Sequence, residues 1–502
     1  MFVKLASAAP LGLNCQSVEV EVDINKGQTN FGIIGLTDTA IQEARDRIHS
    51  AIKNSGYTYP FNFRILVNLA PANIYKEGPA YDLAMATGII LASLDKNINL
   101  DNFLLWGELA LDGSLRPANG VLPVTLFAKE KGIRSMIVPI ENAAEAALID
   151  DIEILPAKNL KEVLEHLLEQ TNITPYIKKE IQHNQFEDCG LDMSQIKGQE
   201  FAKRALEIAA SGGHNVILSG PPGSGKTLLA RTLPTILPTL SEKEILEITK
   251  IHSVAGLLRH NLITIRPFRS PHHTISTVAL VGGGKYPRPG EISLSHRGVL
   301  FLDEFPEFTR NALEALRQPL EDGTISISRA KGTLHFPARF ILVASQNPCP
   351  CGFASDADQN CSCSASTLVK YNKKISGPIL DRIDLHIEVP RLKFEKLSAE
   401  ENSETSKIIQ ARVEAAAQIQ KERFKNTNII TNAEMGNAEI KKHCHLDNES
   451  LQLLRTAVEK LNLSARAYNR ILKISRTIAD LAKSDNITIN HLAEALQFRI
   501  KN

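Results

Sequence analysis

The chain has 502 residues, enough for about three domains of ordinary size, and 57 Lys plus Arg against 56 Asp plus Glu leave a net charge of +1. A hydrophobic content of 43% with 23% charged residues excludes disordered, collagen-like and coiled-coil classes. The near-zero charge excludes a bulk polycation, so contact with nucleic acid would have to come from local basic patches.

The longest apolar stretch, residues 83–94, falls well short of the roughly 20 residues a membrane-spanning helix needs. The opening MFVKLASAAPLGLN carries no clear signal-peptide pattern. The expectation is a cytoplasmic protein without a membrane partner. Residues 1–170 read as one α/β unit. Alternation predicts a strand at 17–24, helix start and stop signals frame 37–56, and a second strand at 63–71 is closed by proline. A helix over 79–93, a hairpin turning at Asp112-Gly113, a helix over 122–132 and a strand then a helix over 135–149 follow. Residues 171–190 are polar and weakly patterned, a linker. Strands and helices alternate over 191–395, which predicts a mostly parallel, doubly wound sheet. Residues 396–502 carry apolar 3–4 spacing and predict a helical lid. The fold class is α/β, with an α+β domain before the central sheet and hairpins inserted into it.

The strongest local signal is Gly220-Pro221-Pro222-Gly223-Ser224-Gly225-Lys226-Thr227, which fits G-x-x-x-x-G-K-[ST] between an apolar strand and a helix. Glycines there let backbone N–H groups surround phosphate oxygens at the positive end of a helix. Lys226 would neutralise the β- and γ-phosphates and the Thr227 hydroxyl would ligate Mg²⁺, so ATP and Mg²⁺ are the expected cofactors. The apolar run 298–305 ends in Asp303, to hold Mg²⁺, and Glu304, to polarise the attacking water. A further strand over 339–348 ends near Asn347, whose amide would position that water. Arg382 in GPILDRIDL offers a fixed positive fork for the charge that builds in phosphoryl transfer, supplied to a neighbouring subunit. The alternative for Arg382 is an ion pair with Asp381 or Asp384. Arg466 opens a late helix and would reach the γ-phosphate, with Arg470 as a rival.

In this order the P-loop, VLFLDE, the Asn347 strand, LDRID and SARA resemble an AAA+ ATPase of the magnesium-chelatase-like branch. With FRSPHHTIS (268–276), GGGKYPRPGEISLSHRGVLFLDE (282–304), FPEFTRNALEALRQPLEDG (305–323) and NPCPCG (347–352), nearly the whole chain resembles the ComM/YifB competence-protein family. The resemblance implies a ring-shaped, hexameric, ATP-driven DNA motor that promotes branch migration during natural transformation. A chelatase-type ATPase that remodels a protein partner in metal insertion is the second reading. Residues 1–170 resemble the Lon protease fold, yet Gly78-Pro79-Ala80-Tyr81-Asp82 has alanine where Lon-like proteases carry serine. Asn119-Gly120-Val121-Leu122 replaces the run before their lysine. A Ser/Lys dyad is therefore not expected, and neither Ser93 nor Ser114 is expected to replace it.

Residues 324–340 predict a hairpin with a cationic tip at Arg329-Ala330-Lys331-Gly332. In related ring motors such a hairpin points into the channel, where Arg329 and Lys331 would meet backbone phosphates without reading sequence. The loop over 266–290 offers Lys285 and Arg288 to phosphate, with Tyr286 to stack on a base. His272-His273 reads as structural hydrogen bonding rather than metal binding, since adjacent histidines point apart on a strand or helix. Cys349, Cys351, Cys361 and Cys363 form two C-x-C pairs suited to a structural Zn²⁺, with free thiols or redox chemistry as alternatives. Cys444 reads as a surface residue.

Overall fold

The structure, a computed structural model, describes all residues except 95, 97, 179–189, 259–261, 285–286, 330–331, 355, 357–358, 392–402, 462 and 500–502. The contacts divide the chain into two compact units, Met1–Gln182 with Glu242–Thr264, and His183–Ser241 with Ile265–Asn502. The first unit thus includes a segment that the sequence assigned to 191–395.

In the first unit a seven-stranded sheet runs in the order Glu153–Ala157, Ser135–Pro139, Phe103–Leu105, Phe2–Leu11, Asn14–Lys26, Phe63–Ala70, Asn30–Ile34. Period-2 alternation places Val18, Val20, Val22 and Ile24 on its buried face. The antiparallel partner Phe2–Leu11 carries no such clean alternation and was not anticipated. The helix Asp82–Ser93 is buried from Asp82 to Ala92, which explains its unbroken apolar run. Gly88 lets its backbone press onto the sheet, since a Cβ there would lie 2.6 Å from Val22 Cγ2 and 2.8 Å from Leu5 Cδ1. Its one buried charge, Asp82, accepts from Arg47 Nε at 2.8 Å and Nη2 at 3.2 Å. Helix Glu242–Ala255 joins this unit through Ser253, whose hydroxyl donates to Glu145 at 2.5 Å, while Leu122 N–H donates to the same carboxylate at 3.1 Å. Burial pushes the Glu145 carboxyl above its usual range. Ala80 is buried in the short 3₁₀ turn that leads into the Asp82 helix.

In the second unit a five-stranded sheet runs Phe268–Arg269, Val299–Leu302, Ile341–Gln346, Val216–Ser219, Leu385–Glu388, every neighbouring pair parallel. The three central strands are almost wholly buried, as parallel strands covered on both faces must be, and hence read as solid apolar runs. Parallel pairing puts the C-terminal ends of the Val216, Val299 and Ile341 strands on one edge. The hairpin Thr324–Arg329 with Gly332–Pro337 forms its own sheet, in register from Thr324↔Pro337 to Arg329↔Gly332. The helices Ser406–Arg423, Asn437–His443, Asn448–Leu461, Ala465–Leu481 and Ile489–Gln497 share a hydrophobic core with the sheet. Phe498 stacks on Phe201 at 4.9 Å, and Arg204 Nε donates to Glu494 at 2.8 Å. Among the described residues no helix is long and apolar enough to cross a membrane.

Candidate nucleotide site

The loop Gly220–Gly225 leaves the Val216–Ser219 strand and enters the helix Lys226–Thr232. Gly223 and Gly225 adopt φ of +76° and +89°, values that side chains rarely tolerate. Gly220 is packed against the Val389 carbonyl, leaving no room for a Cβ. Lys226 is buried, and its ammonium donates to the carbonyls of Gly220 at 2.7 Å and Pro221 at 2.8 Å and to Asn347 Oδ1 at 3.3 Å. Burial pulls its pKa below the usual lysine value, against the opposing charge of Asp303. Ser224 Oγ is buried with no hydrogen-bond partner among the described residues, an orphan that fits a phosphate oxygen as its acceptor.

Thr227 Oγ1 donates to Asp303 Oδ2 at 3.1 Å, and Ser345 Oγ to Asp303 Oδ1. Adjacent oxygens of an octahedral Mg²⁺ shell, each about 2.1 Å from the metal, lie about 3 Å apart, so Thr227 and Asp303 fit that ion. Glu304 sits at φ +51°, a left-handed conformation that costs a non-glycine residue about 1 kcal/mol or more and turns the chain out of the strand. Its Oε2 lies 3.2 Å from His273 Nδ1. His273 was not foreseen here. The rings of His272 and His273 do not diverge as expected; their centroids are 4.1 Å apart, because the pair lies in irregular backbone just past the Phe268–Arg269 strand.

Arg382 is buried and donates to Pro378 O at 2.7 Å and to Glu321 Oε2. Arg466 donates to the other oxygen of the same carboxylate at 3.0 Å. Glu321, on the helix Arg317–Asp322, is the acidic partner of Arg382, where the sequence had offered Asp381 and Asp384. It was also missed, since nothing in its spacing marks it. Asp384 instead meets Arg470 Nη1 at 3.2 Å; burial works against its charge, but Arg470 and His214 hold the carboxyl well below its usual range.

All four sulfurs of Cys349, Cys351, Cys361 and Cys363 lie within 4.8 Å of one another. Backbone N–H of Phe353 and the Cys349 thiol draw Cys351 down to about 6. Of the residues expected to grip DNA, Lys285 and Lys331 lie outside the described residues, Arg329 ends its hairpin strand, and Arg288 is exposed in a short strand paired with Gly282–Gly283. Cys444 is buried rather than on the surface, which pushes its thiol up to about 11. Ser114 Oγ is tied to Asp112 at 2.6 Å and Ser93 Oγ to Ile90 O at 2.7 Å.

Residues 192–397 match the family model for magnesium chelatase subunit ChlI, 20–142 that for subunit ChlI of Mg-chelatase, and 403–499 that for the ChlI C-terminal part. The competence protein ComM of Haemophilus influenzae is 44% identical over 499 residues, covering 98% of this chain and 96% of its own. The chain belongs to the ComM/YifB family of magnesium-chelatase-like AAA+ ATPases. The YifB protein of Escherichia coli, in the same family, is 43% identical over 499 residues, with 98% and 96% covered. The N-terminal region is also similar to Lon protease 2 of Bacillus subtilis, 31% identical over 169 residues, 30% of each chain.

Proposed function

We propose that this AAA+ ATPase is a ring-forming motor that couples ATP hydrolysis to movement along single-stranded or branched DNA, in the recombination that integrates incoming DNA. The observation that carries the reading is the pair of strands Thr324–Arg329 and Gly332–Pro337, joined in the sequence by Ala330-Lys331 and lying in the chain between the strand before Asp303 and the strand before Asn347. A basic two-stranded arm tied to the hydrolytic strands supplies a route from phosphate chemistry to a polyanion. The full-length likeness to a protein named for competence supports the same setting.

In this reading the P-loop N–H groups and Lys226 hold the β- and γ-phosphates, and Ser224 donates to a phosphate oxygen. Thr227 and Asp303 would hold Mg²⁺, which supplies charge neutralisation when bound. Glu304 accepts a proton from the attacking water, and Asn347 orients that water. Arg382, from an adjacent subunit, and Arg466 meet the charge that builds on the transferred group. The matched models carry the name of a chelatase subunit, which favours a second reading, an ATPase that remodels a protein partner in metal insertion. ATP turnover with and without single-stranded and four-way-junction DNA separates the two, together with strand displacement from the junction. Stimulation and displacement are expected; indifference to both DNAs refutes the motor.

A further inference from the structure

We propose that the four-cysteine cluster binds one zinc ion and that this ion holds the ATP site in its binding-competent form. The proposal rests on the nucleotide-site reading above and concerns what keeps that site in shape. Four thiolates around Zn²⁺ at about 2.3 Å form a tetrahedron with edges of about 3.8 Å. The Sγ separations are 3.2 Å for Cys349–Cys351, 3.7 Å for Cys349–Cys361 and 3.6 Å for Cys351–Cys361, too long for disulfides at about 2.05 Å and close to those edges.

Two arms lead from this cluster into the nucleotide site. The first is Gly352, at φ +89°, whose turn is closed by its N–H donating to Cys349 O at 3.0 Å. It packs on the P-loop, for a Cβ at Gly352 would lie 2.5 Å from Pro222 Cδ and 2.7 Å from Pro222 Cγ. The second is the chain itself, since Cys349 follows Asn347 by two residues and Asn347 accepts from the Lys226 ammonium. Tyr371, buried on the helix Ala365–Asn372 that follows Cys363, hydrogen-bonds the Asn347 backbone and ties the far end of the insert to the same point. Among the described residues of 349–363 only Cys349 and Gly352 are buried. So little apolar burial does not order such a segment, and a metal staple does. Loss of the ion would free Gly352 from Pro222 and loosen Asn347 against Lys226.

The test uses the full-length protein in Mg²⁺ buffer, with zinc content by mass spectrometry and affinity for a fluorescent ATP analogue read before stripping with a strong chelator, after it, and after zinc alone is restored. We expect one zinc per chain, a Kd at least about tenfold higher in stripped protein with helical circular dichroism unchanged, and recovery on zinc addition. Gly352→Ala, which leaves all four thiols in place, should keep its zinc and still bind the analogue severalfold more weakly. Absence of zinc from both purified and zinc-treated protein overturns the proposal, and so does a Kd that stays within about twofold after zinc is lost. Lys226→Ala, measured alongside, tests the nucleotide site by itself; unaltered binding there would refute that site and not the metal.

Discussion

Glu321 is the point where the two arginines proposed to meet the transferred phosphate are tied together, and Glu321→Gln tests what the tie does. Its Oε2 accepts from Arg382 and its Oε1 from Arg466 at 3.0 Å. Glutamine keeps the length and removes the charge. One acceptor oxygen becomes an NH2 that cannot accept from a guanidinium, and the bond that remains loses its anionic partner while the arginine stays charged. The change is therefore about that between a charge-assisted bond at about 1.5–3 kcal/mol and one of neutral strength at about 0.5–1.5. The Arg382 side chain is 6% exposed and feels most of that difference. Arg466 and Glu321 are 54% and 48% exposed, and such pairs contribute only about 0–1 kcal/mol. The substitution should therefore remove about 1–2 kcal/mol and lower the Tm of the second unit by about 2–8 °C. In the proposed reading each arginine leaves Glu321 to meet a phosphate, so the same energy is subtracted from the cost of engagement. ATP turnover at saturating ATP should rise about five- to thirtyfold where engagement limits the rate. Steady-state hydrolysis and a thermal melt on one preparation read both effects. Turnover that falls together with Tm would refute the restraint and make Glu321 the residue that presents the arginines.

Lys226→Ala removes the proposed charge-assisted phosphate contact, about 1.5–3 kcal/mol, and should raise the Kd for ATP about ten- to hundredfold, measured by titration with a fluorescent analogue. Glu304→Gln should bind that analogue normally yet hydrolyse ATP at least about a hundredfold more slowly; normal turnover would remove Glu304 from water activation. Burial pushes the His386 imidazole down to about 4 from an ordinary 6.5, so its contribution to stability is complete above pH 6.5 and is lost as pH falls toward 4. That loss amounts to roughly 3 kcal/mol, and urea unfolding of His386→Gln should show a correspondingly flatter pH profile; matching slopes would reject the assignment.

Contiguity decided what was legible beforehand. The P-loop is one run of eight residues whose turn chemistry and flanking strand and helix are local, so it reads directly. The Asp303 and Asn347 strands read as solid apolar segments because parallel pairing buries both faces. Phe2–Leu11 escaped notice because Ala and Ser blur its alternation. His273 and Glu321 carry no local mark, since each gains its role from a partner 31 or 61 residues away, Glu304 and Arg382. The helix Glu242–Ala255 has an ordinary apolar pattern that names no partner, and only Ser253 against Glu145 tells where it packs. Cys444 looked solvated beside two histidines, but the helix ending at His443 turns it into the core.

By itself the amino-acid order determined the kind of chemistry, through glycines free to take positive φ, a lysine beside them, acids at the end of an apolar strand and four closely spaced thiols. Those properties depend on neighbours within a few residues, where covalent geometry leaves little choice. Tertiary structure alone decided which distant groups meet: Thr227 with Asp303, Glu304 with His273, two arginines on Glu321, and Gly352 against Pro222. Such meetings are set by strand order and by packing between elements far apart in the chain, and no local pattern encodes either.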